Sequence, residues 1–353
     1  MTGPPIRVVV ADDSLVAREM LRQILDSDPD IEVVGVASDG QEAVDLVASL
    51  RPDLVTMDIH MPRMDGLEAT ERIMAYTPTP ILVVSSSVHG EGMGRAFDAL
   101  SSGALEVIKK PEPSDWQDMQ KIGRTMIRTV KILSKVRVIT HLRGKYKPGQ
   151  EREVGRRAPH PESPGGRVIV AVGSSTGGPS ALLSVLGKLP ATFPVPVVVA
   201  QHIAEGFVPG LVGWLDAGCR MKIRAAEDGE TVKPGMVYFA PTGRNLEMDG
   251  MVARYATPLP GQLYIPSADT LFSSVARSHG SRSVGVILTG MGADGAEGLK
   301  SMRAAGAATI AQDEESSTVF GMPKAAIDNG AAVTVLPVAA IADEVQRLVM
   351  GVT

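Results

Sequence analysis

Short, uninterrupted apolar runs alternate along this chain with longer stretches in which apolar residues recur every three or four positions. Residues 7–10 (RVVV) form the first run, and Ser14 opens a segment that places Ala17, Met20, Leu21, Ile24 and Leu25 on one helical stripe. The first pattern predicts a strand buried on both faces, the second an amphipathic helix that starts at a serine cap. The alternation continues through residues 32–37, 41–50, 54–57, 66–76, 81–84, 95–100 and 106–109, and a last helix is expected around Met119, Ile122, Met126, Val130 and Leu133. Wholly apolar strands separated by helices predict a parallel sheet covered on both faces.

A second alternation begins at Arg167, with strands expected over residues 168–172, 195–200, 284–288 and 308–311 and hairpin material at 237–240 and near 251–265. Between the two lies HLRGKYKPGQEREVGRRAPHPESPGG, residues 141–166, where prolines, glycines and charges show no apolar period. Such a stretch cannot bury enough surface to order itself. The expected organisation is an α/β domain over residues 1–138, a flexible linker over 139–166 and a second α/β domain over 167–353. Both are expected to be doubly wound, the first purely parallel and the second mainly parallel with some antiparallel hairpin.

Composition narrows the function. At 353 residues and 44% hydrophobic content the chain can fill two cores. The 35 basic and 40 acidic side chains give a formal charge of -5, without the positive field that nucleic-acid binders use, so nucleic acid is not an expected partner. Cys219 is the only cysteine, which excludes an internal disulfide and a thiolate metal cluster and fits a reducing cytoplasm. Apolar runs stop well short of the roughly 20 residues needed to span a bilayer, so a cytoplasmic, unexported protein that is not membrane-inserted is expected.

Candidate chemistry collects at predicted strand ends. Asp12 and Asp13 close the first strand, Asp58 the third, Ser85 the fourth and Lys110 the fifth, and in a parallel sheet these positions converge on one edge. Three carboxylates there form a hard oxygen site suited to Mg²⁺. Asp58 could attack a phosphoryl group while a metal, a hydroxyl and a lysine neutralise the developing charge. ADD at 11–13, MDIHMPRMDG at 57–66 and the Lys110-Pro111 pair resemble the response-regulator receiver family. The resemblance spans roughly residues 6–138 and implies a flavodoxin-like fold. It also implies that Asp58 accepts phosphate, that Asp12, Asp13 and Asp58 serve Mg²⁺, that Ser85 is the switch hydroxyl and that Lys110 is the phosphate partner. The run of serines leaves Ser86 as an alternative to Ser85. Val107 stands where receivers often carry a switching aromatic, and His60 sits two residues after Asp58.

In the second half, VIVAVGSSTGGPSALL runs from a strand through small residues into a helix. Ser174 or Ser175 is thereby set on a sharp turn at a helix N-terminus, either as a nucleophile or as part of a phosphate cradle. A serine nucleophile needs a base on the same sheet edge. Among the six histidines only His202, directly after VVVAQ, closes a strand at its C-terminal end. The orienting acid is expected at Asp294, in the glycine-rich loop of GVILTGMGADGAEGL, with Asp313 as competitor. Amides at Thr176 and around Met291 are the expected oxyanion donors. GSSTGG at 173–178, AQHI at 200–203, LTGMGADGA at 288–296 and QDEESSTVFGMP at 312–323 resemble the CheB methylesterase family.

That resemblance covers residue 167 to the C-terminus. It implies Ser175 as nucleophile, His202 as base and Asp294 as orienting acid, with Thr176 and Met291 building the oxyanion environment and no cofactor for the ester reaction. The activity implied is phosphorylation-regulated hydrolysis of glutamate γ-methyl esters, and deamidation of glutamines, on chemoreceptors. A chemotaxis histidine kinase is the implied phosphodonor. The chain order Ser, His, Asp differs from the Ser, Asp, His of α/β-hydrolases and predicts a separate scaffold with a convergent triad.

Overall fold

A computed structural model describes residues 4–86, 91–111, 116–138 and 166–350. Two compact units divide at Pro148 and Gly149. The expected linker, all but Gly166, falls outside the described residues.

The first unit runs β1 (Ile6–Ala11), α1 (Leu15–Asp26), β2 (Ile31–Ala37), α2 (Gly40–Leu50), β3 (Leu54–Met57), α3 (Gly66–Tyr76), β4 (Ile81–Ser85), α4 (Glu91–Ser101), β5 (Glu106–Lys109) and α5 (Trp116–Leu133). Its five strands lie in the order β2-β1-β3-β4-β5 and every pairing is parallel. Helix α1 forms where the stripe predicts: Ser14 caps it through the Ala17 amide, and Ala17, Leu21 and Leu25 are buried. Each buried leucine contributes about 1.5–3 kcal/mol relative to exposure. The chain leaves β1 on one side toward β2 and returns on the other to β3, so a crevice opens at the carboxyl end of β1.

The second unit runs β6 (Ile169–Ser174), α6 (Gly178–Leu186), β7 (Val197–Gln201), α7 (Val208–Gly218), β8 (Lys222–Ala225), β9 (Met236–Phe239), β10 (Asn245–Asp249), β11 (Val252–Ala256), α8 (Ala268–His279), β12 (Ser283–Ile287), α9 (Ala296–Ala304), β13 (Ala308–Gln312), α10 (Met322–Asp328), β14 (Thr334–Leu336) and α11 (Val338–Met350). Seven strands form a parallel sheet in the order β14-β13-β12-β6-β7-β9-β8, and β10 and β11 pair antiparallel as a separate hairpin. One expectation is corrected: residues 237–240 are not hairpin material, because β9 pairs in parallel with β7 and β8 inside the large sheet. Residues 237–240 (VYFA) are a short apolar run with no alternation, and Val237, Tyr238 and Phe239 are all buried, as in a strand covered on both faces. Within 251–265 only β11 is strand; its partner β10 (NLEMD) alternates Leu246 and Met248 with polar residues over only five positions, and lies outside the expected stretch. The order reverses at β6, which lies between β7 and β12, and a second crevice opens there.

Candidate functional sites

In the first crevice, Asp12, Asp13, Asp58 and Lys110 follow β1, β3 and β5, as the pattern predicts. Lys110 Nζ lies 2.6 Å from Asp12 Oδ2 and 2.8 Å from Asp58 Oδ2. Burial pushes the Asp12 carboxyl above its ordinary pKa, a pull that the nearby lysine only partly offsets. Burial alone would depress Lys110, yet its hydrogen bond to Asp58 and its attraction to both Asp12 and Asp58 leave it raised. One oxygen from each of Asp12, Asp13 and Asp58 falls within 4.8 Å of the others. Asp12 Oδ2 is buried and lacks an aligned hydrogen bond despite the close lysine. An under-satisfied carboxylate oxygen in a hard oxygen cluster fits a divalent cation such as Mg²⁺. Gly66 is needed here because a Cβ at that position would sit 1.9 Å from the Asp58 carbonyl oxygen. The adjoining concavity, about 380 Å³, is lined by Asp13, Asp58, His60, Ser86 and Lys110 among others. Ser85, the last residue of β4, is fully buried, and Val107 is buried in β5.

The second crevice gathers residues from β6, β7 and the loop after β12. Strand register pairs Ser174 with Gln201, so Ser175 and His202 are the next residues out on adjacent parallel strands, and the His202 amide donates to the Ser174 carbonyl at 2.9 Å. Ser174 is wholly buried and its hydroxyl donates to Gln201 Oε1 at 2.6 Å. Ser175 stands on the turn itself, 8% exposed, two residues before the Gly177 cap of α6. Its own amide is bound to the Thr289 carbonyl, which leaves the next amide, that of Thr176, as the local donor for an oxyanion. Thr176 is buried and its carbonyl accepts from Thr289 Oγ1 at 2.9 Å. Met291 is half-buried on the loop after β12.

His202 Nε2 lies 2.7 Å from Asp294 Oδ2. Asp294 also accepts from Ser267 Oγ at 2.8 Å, the Ala268 amide at 2.6 Å and the Asp269 amide at 3.2 Å, so it rests on the N-terminus of α8. Burial opposes its ionisation, but the His202 contact and these donors hold its pKa below the ordinary value. An ionised Asp294 can only accept, so Nε2 carries the proton and Nδ1, which is buried without a partner, has its lone pair free. Asp313, the competing acid, accepts from the Ser316 amide and hydroxyl and caps its own turn instead.

Sequence reasoning missed the supports of this site. Gln201 Nε2 donates to the carbonyls of Ser175 at 2.9 Å and His202 at 2.8 Å, bridging the two strand ends. The fit is tight: a Cβ on Gly178 would sit 2.1 Å from Gln201 Oε1. Ser267 was legible as a helix cap from PSAD, with an acid in the first turn, but not as a partner of Asp294. Tyr264, whose ring stacks on His202, carries no local signal.

A phosphoacceptor-type crevice and a serine-hydrolase-type crevice, each at a reversal of a parallel sheet, define a two-part chain: a receiver domain joined to a hydrolase domain with a parallel sheet of its own. The response regulator receiver model matches residues 8–121, and the CheB methylesterase model matches residues 170–345. A relative from Anaeromyxobacter dehalogenans (strain 2CP-C), a protein-glutamate methylesterase/protein-glutamine glutaminase, is 46% identical over 349 residues, 99% of this chain and 97% of the relative. One of the same description from Myxococcus xanthus (strain DK1622) is 45% identical over 327 residues, 92% of this chain and 91% of the relative. The crystal structure of the Thermotoga maritima CheB methylesterase catalytic domain is similar at 38% identity and a TM-score of 0.49, covering 52% of this chain and 99% of that one. The chain belongs to the CheB family of protein-glutamate methylesterases/protein-glutamine glutaminases, enzymes that couple a receiver to a hydrolase domain. Among the described residues no helix is long and apolar enough to cross a membrane.

Proposed function

We propose that Ser175, His202 and Asp294 form the triad with which this chain hydrolyses γ-methyl esters of glutamyl side chains on chemoreceptors. His202 Nδ1 takes the Ser175 hydroxyl proton as Oγ attacks the ester carbonyl. The amide of Thr176 and the loop at Met291 receive the oxyanion. Imidazolium then protonates the departing methoxide, and methanol leaves an acyl-enzyme. His202 next activates water, which releases the receptor carboxylate and restores Ser175. Glutamine deamidation follows the same path with ammonia as leaving group. No cofactor takes part in these steps. The observation that carries the reading is the polarised His202: Nε2 on an ionised Asp294, and Nδ1 buried and unpaired at the strand end next to Ser175.

The receiver is read as the control element in a cytoplasmic protein, with Asp58 as phosphoacceptor and a chemotaxis histidine kinase as donor. Asp12, Asp13 and Asp58 would hold Mg²⁺, which when bound supplies positive charge to neutralise the phosphoryl oxygens. Lys110 adds a second positive charge from the chain itself, and Ser85, with Ser86 as alternative, is the switch hydroxyl. The test is methanol release from methyl-labelled chemoreceptor membranes by wild type and Ser175→Ala, each with and without a small-molecule phosphodonor. Release that needs Ser175 and rises with phosphodonor is the expected result; substantial turnover by folded Ser175→Ala would overturn the triad.

A further inference from the structure

Residues 257–267 connect β11 to α8 and cross the His202–Asp294 pair. Ser267, at the far end, caps α8 and donates to Asp294. Three residues earlier the Tyr264 ring lies parallel to the His202 imidazole, with centroids 4.6 Å apart and planes inclined by 8°. The tyrosine hydroxyl rests against the backbone of Gly292, where an added Cβ would be 2.4 Å from it. The segment is braced: Gln262 Oε1 accepts from Asn245 Nδ2 at 2.9 Å and from the Leu259 amide at 3.0 Å, and Asn245 Oδ1 accepts from the Ser267 amide at 2.9 Å.

We infer that Tyr264 is a positioning residue for His202, fixing the plane of the imidazole and stabilising its protonated form. This rests on the reading of His202 as the base. Asp294 holds the ring at one atom only, Nε2, and leaves it free to tilt about that contact. A ring lying flat against one face removes that freedom and keeps Nδ1 in the plane from which it can accept. The face of a phenol ring is the negative end of its quadrupole, so the stack favours imidazolium over neutral imidazole. Imidazolium exists only after proton transfer, which makes this contact stronger in the transition state than in the ground state. Tyr264 is half-buried, so its truncation removes little core.

The experiment compares Tyr264→Phe, Tyr264→Leu, Tyr264→Ala and Ser175→Ala in the full chain, measuring kcat and KM for methanol release from methylated receptor membranes, the rate of Ser175 modification by a small organophosphonate, and thermal unfolding. Phenylalanine keeps the aromatic face and is expected within about twofold of wild type. Leucine keeps bulk without the quadrupole and, like alanine, is expected to lose roughly five- to twentyfold in kcat and in the modification rate, with KM and the unfolding midpoint held. Leucine and phenylalanine variants of equal kcat would overturn the inference while a dead Ser175→Ala left the triad standing. An active Ser175→Ala would remove the triad and the inference with it.

Discussion

Replacing Asp294 with asparagine isolates the charge of the acid from its shape. In the native site both carboxylate oxygens only accept: Oδ1 from Ser267 Oγ and the Asp269 amide, Oδ2 from the Ala268 amide and His202 Nε2. Asparagine offers one acceptor oxygen and one donor NH₂. With its oxygen toward His202, the NH₂ faces the Asp269 amide. With its NH₂ toward His202, it faces the Ala268 amide and drives the ring proton to Nδ1, which abolishes the base. Either orientation sets donor against donor in a buried site, at about 1–3 kcal/mol of stability. Either also removes the negative charge that stabilises imidazolium, for an expected loss of about 10³–10⁴-fold in kcat, with KM held because no proposed substrate contact is touched. Saturating methanol-release assays and urea unfolding on the same preparations measure the two effects separately. A variant destabilised as expected but turning over within about tenfold of wild type would refute the reasoning and reduce Asp294 to a cap of α8.

Two further predictions concern the receiver and an acid beside Asp294. Asp58→Asn should keep basal release and lose its stimulation by phosphodonor, and of Ser85→Ala and Ser86→Ala the variant that also loses stimulation identifies the switch hydroxyl. Stimulation intact in Asp58→Asn would exclude Asp58 as acceptor. Burial, with the charge of Asp294 adding to it, pushes the Asp269 carboxyl up to about 6 from an ordinary 3.8. The folded chain then holds this proton more tightly than the unfolded chain, so the contribution of Asp269 to stability falls as pH rises from about 4 to about 6 and is level above that. Urea midpoints of Asp269→Asn across that range should lack this part of the wild-type slope; parallel curves for the two proteins would show that Asp269 does not titrate there.

The receiver was legible almost residue by residue because its strands are short, largely apolar and separated by helices with clear stripes; β3 and β5 fall where expected, and β1, β2 and β4 differ only at their ends. The large sheet was legible at β6, β7, β12 and β13 for the same reason, and these are the strands that carry Ser175, His202 and the loop to Asp294. What sequence could not supply is contact across distant segments. Nothing near Gln201 says that its amide will join two strand ends, and nothing near Tyr264 says that it will lie on a histidine 62 positions earlier, as their numbers in the chain give. β8 and β14 were missed because Lys222 and Arg224, or a length of three residues, hide the apolar run. The residues alone left Ser174 and Ser175 open and the family resemblance implied Ser175; the Ser174 hydroxyl is bound to Gln201, a contact no local signal announces.

The polarity of the imidazole follows from the topology. In the serine protease arrangement the acid binds Nδ1 and Nε2 serves as base; here Asp294 is on Nε2, so on the proposed reading Nδ1 is the base. Neutral imidazole donates from one nitrogen and accepts at the other, and the chemistry is indifferent to which. Geometry is not indifferent. Ser175 and His202 leave neighbouring parallel strands one residue beyond a registered pair, roughly 4.8 Å apart in backbone spacing. At that range the nitrogen nearer the backbone, Nδ1, suits the nucleophile, and the remote Nε2 would overshoot it. Asp294 comes from β12, on the opposite side of β6 from β7, along a loop from Leu288 that reaches the far nitrogen. The proposed triad, in the chain order Ser, His, Asp on this sheet, therefore uses the reversed ring. On this argument His202→Gln, whose long side chain carries its polar atoms farther from the backbone than Nδ1 lies, should be as inactive as His202→Ala in methanol release.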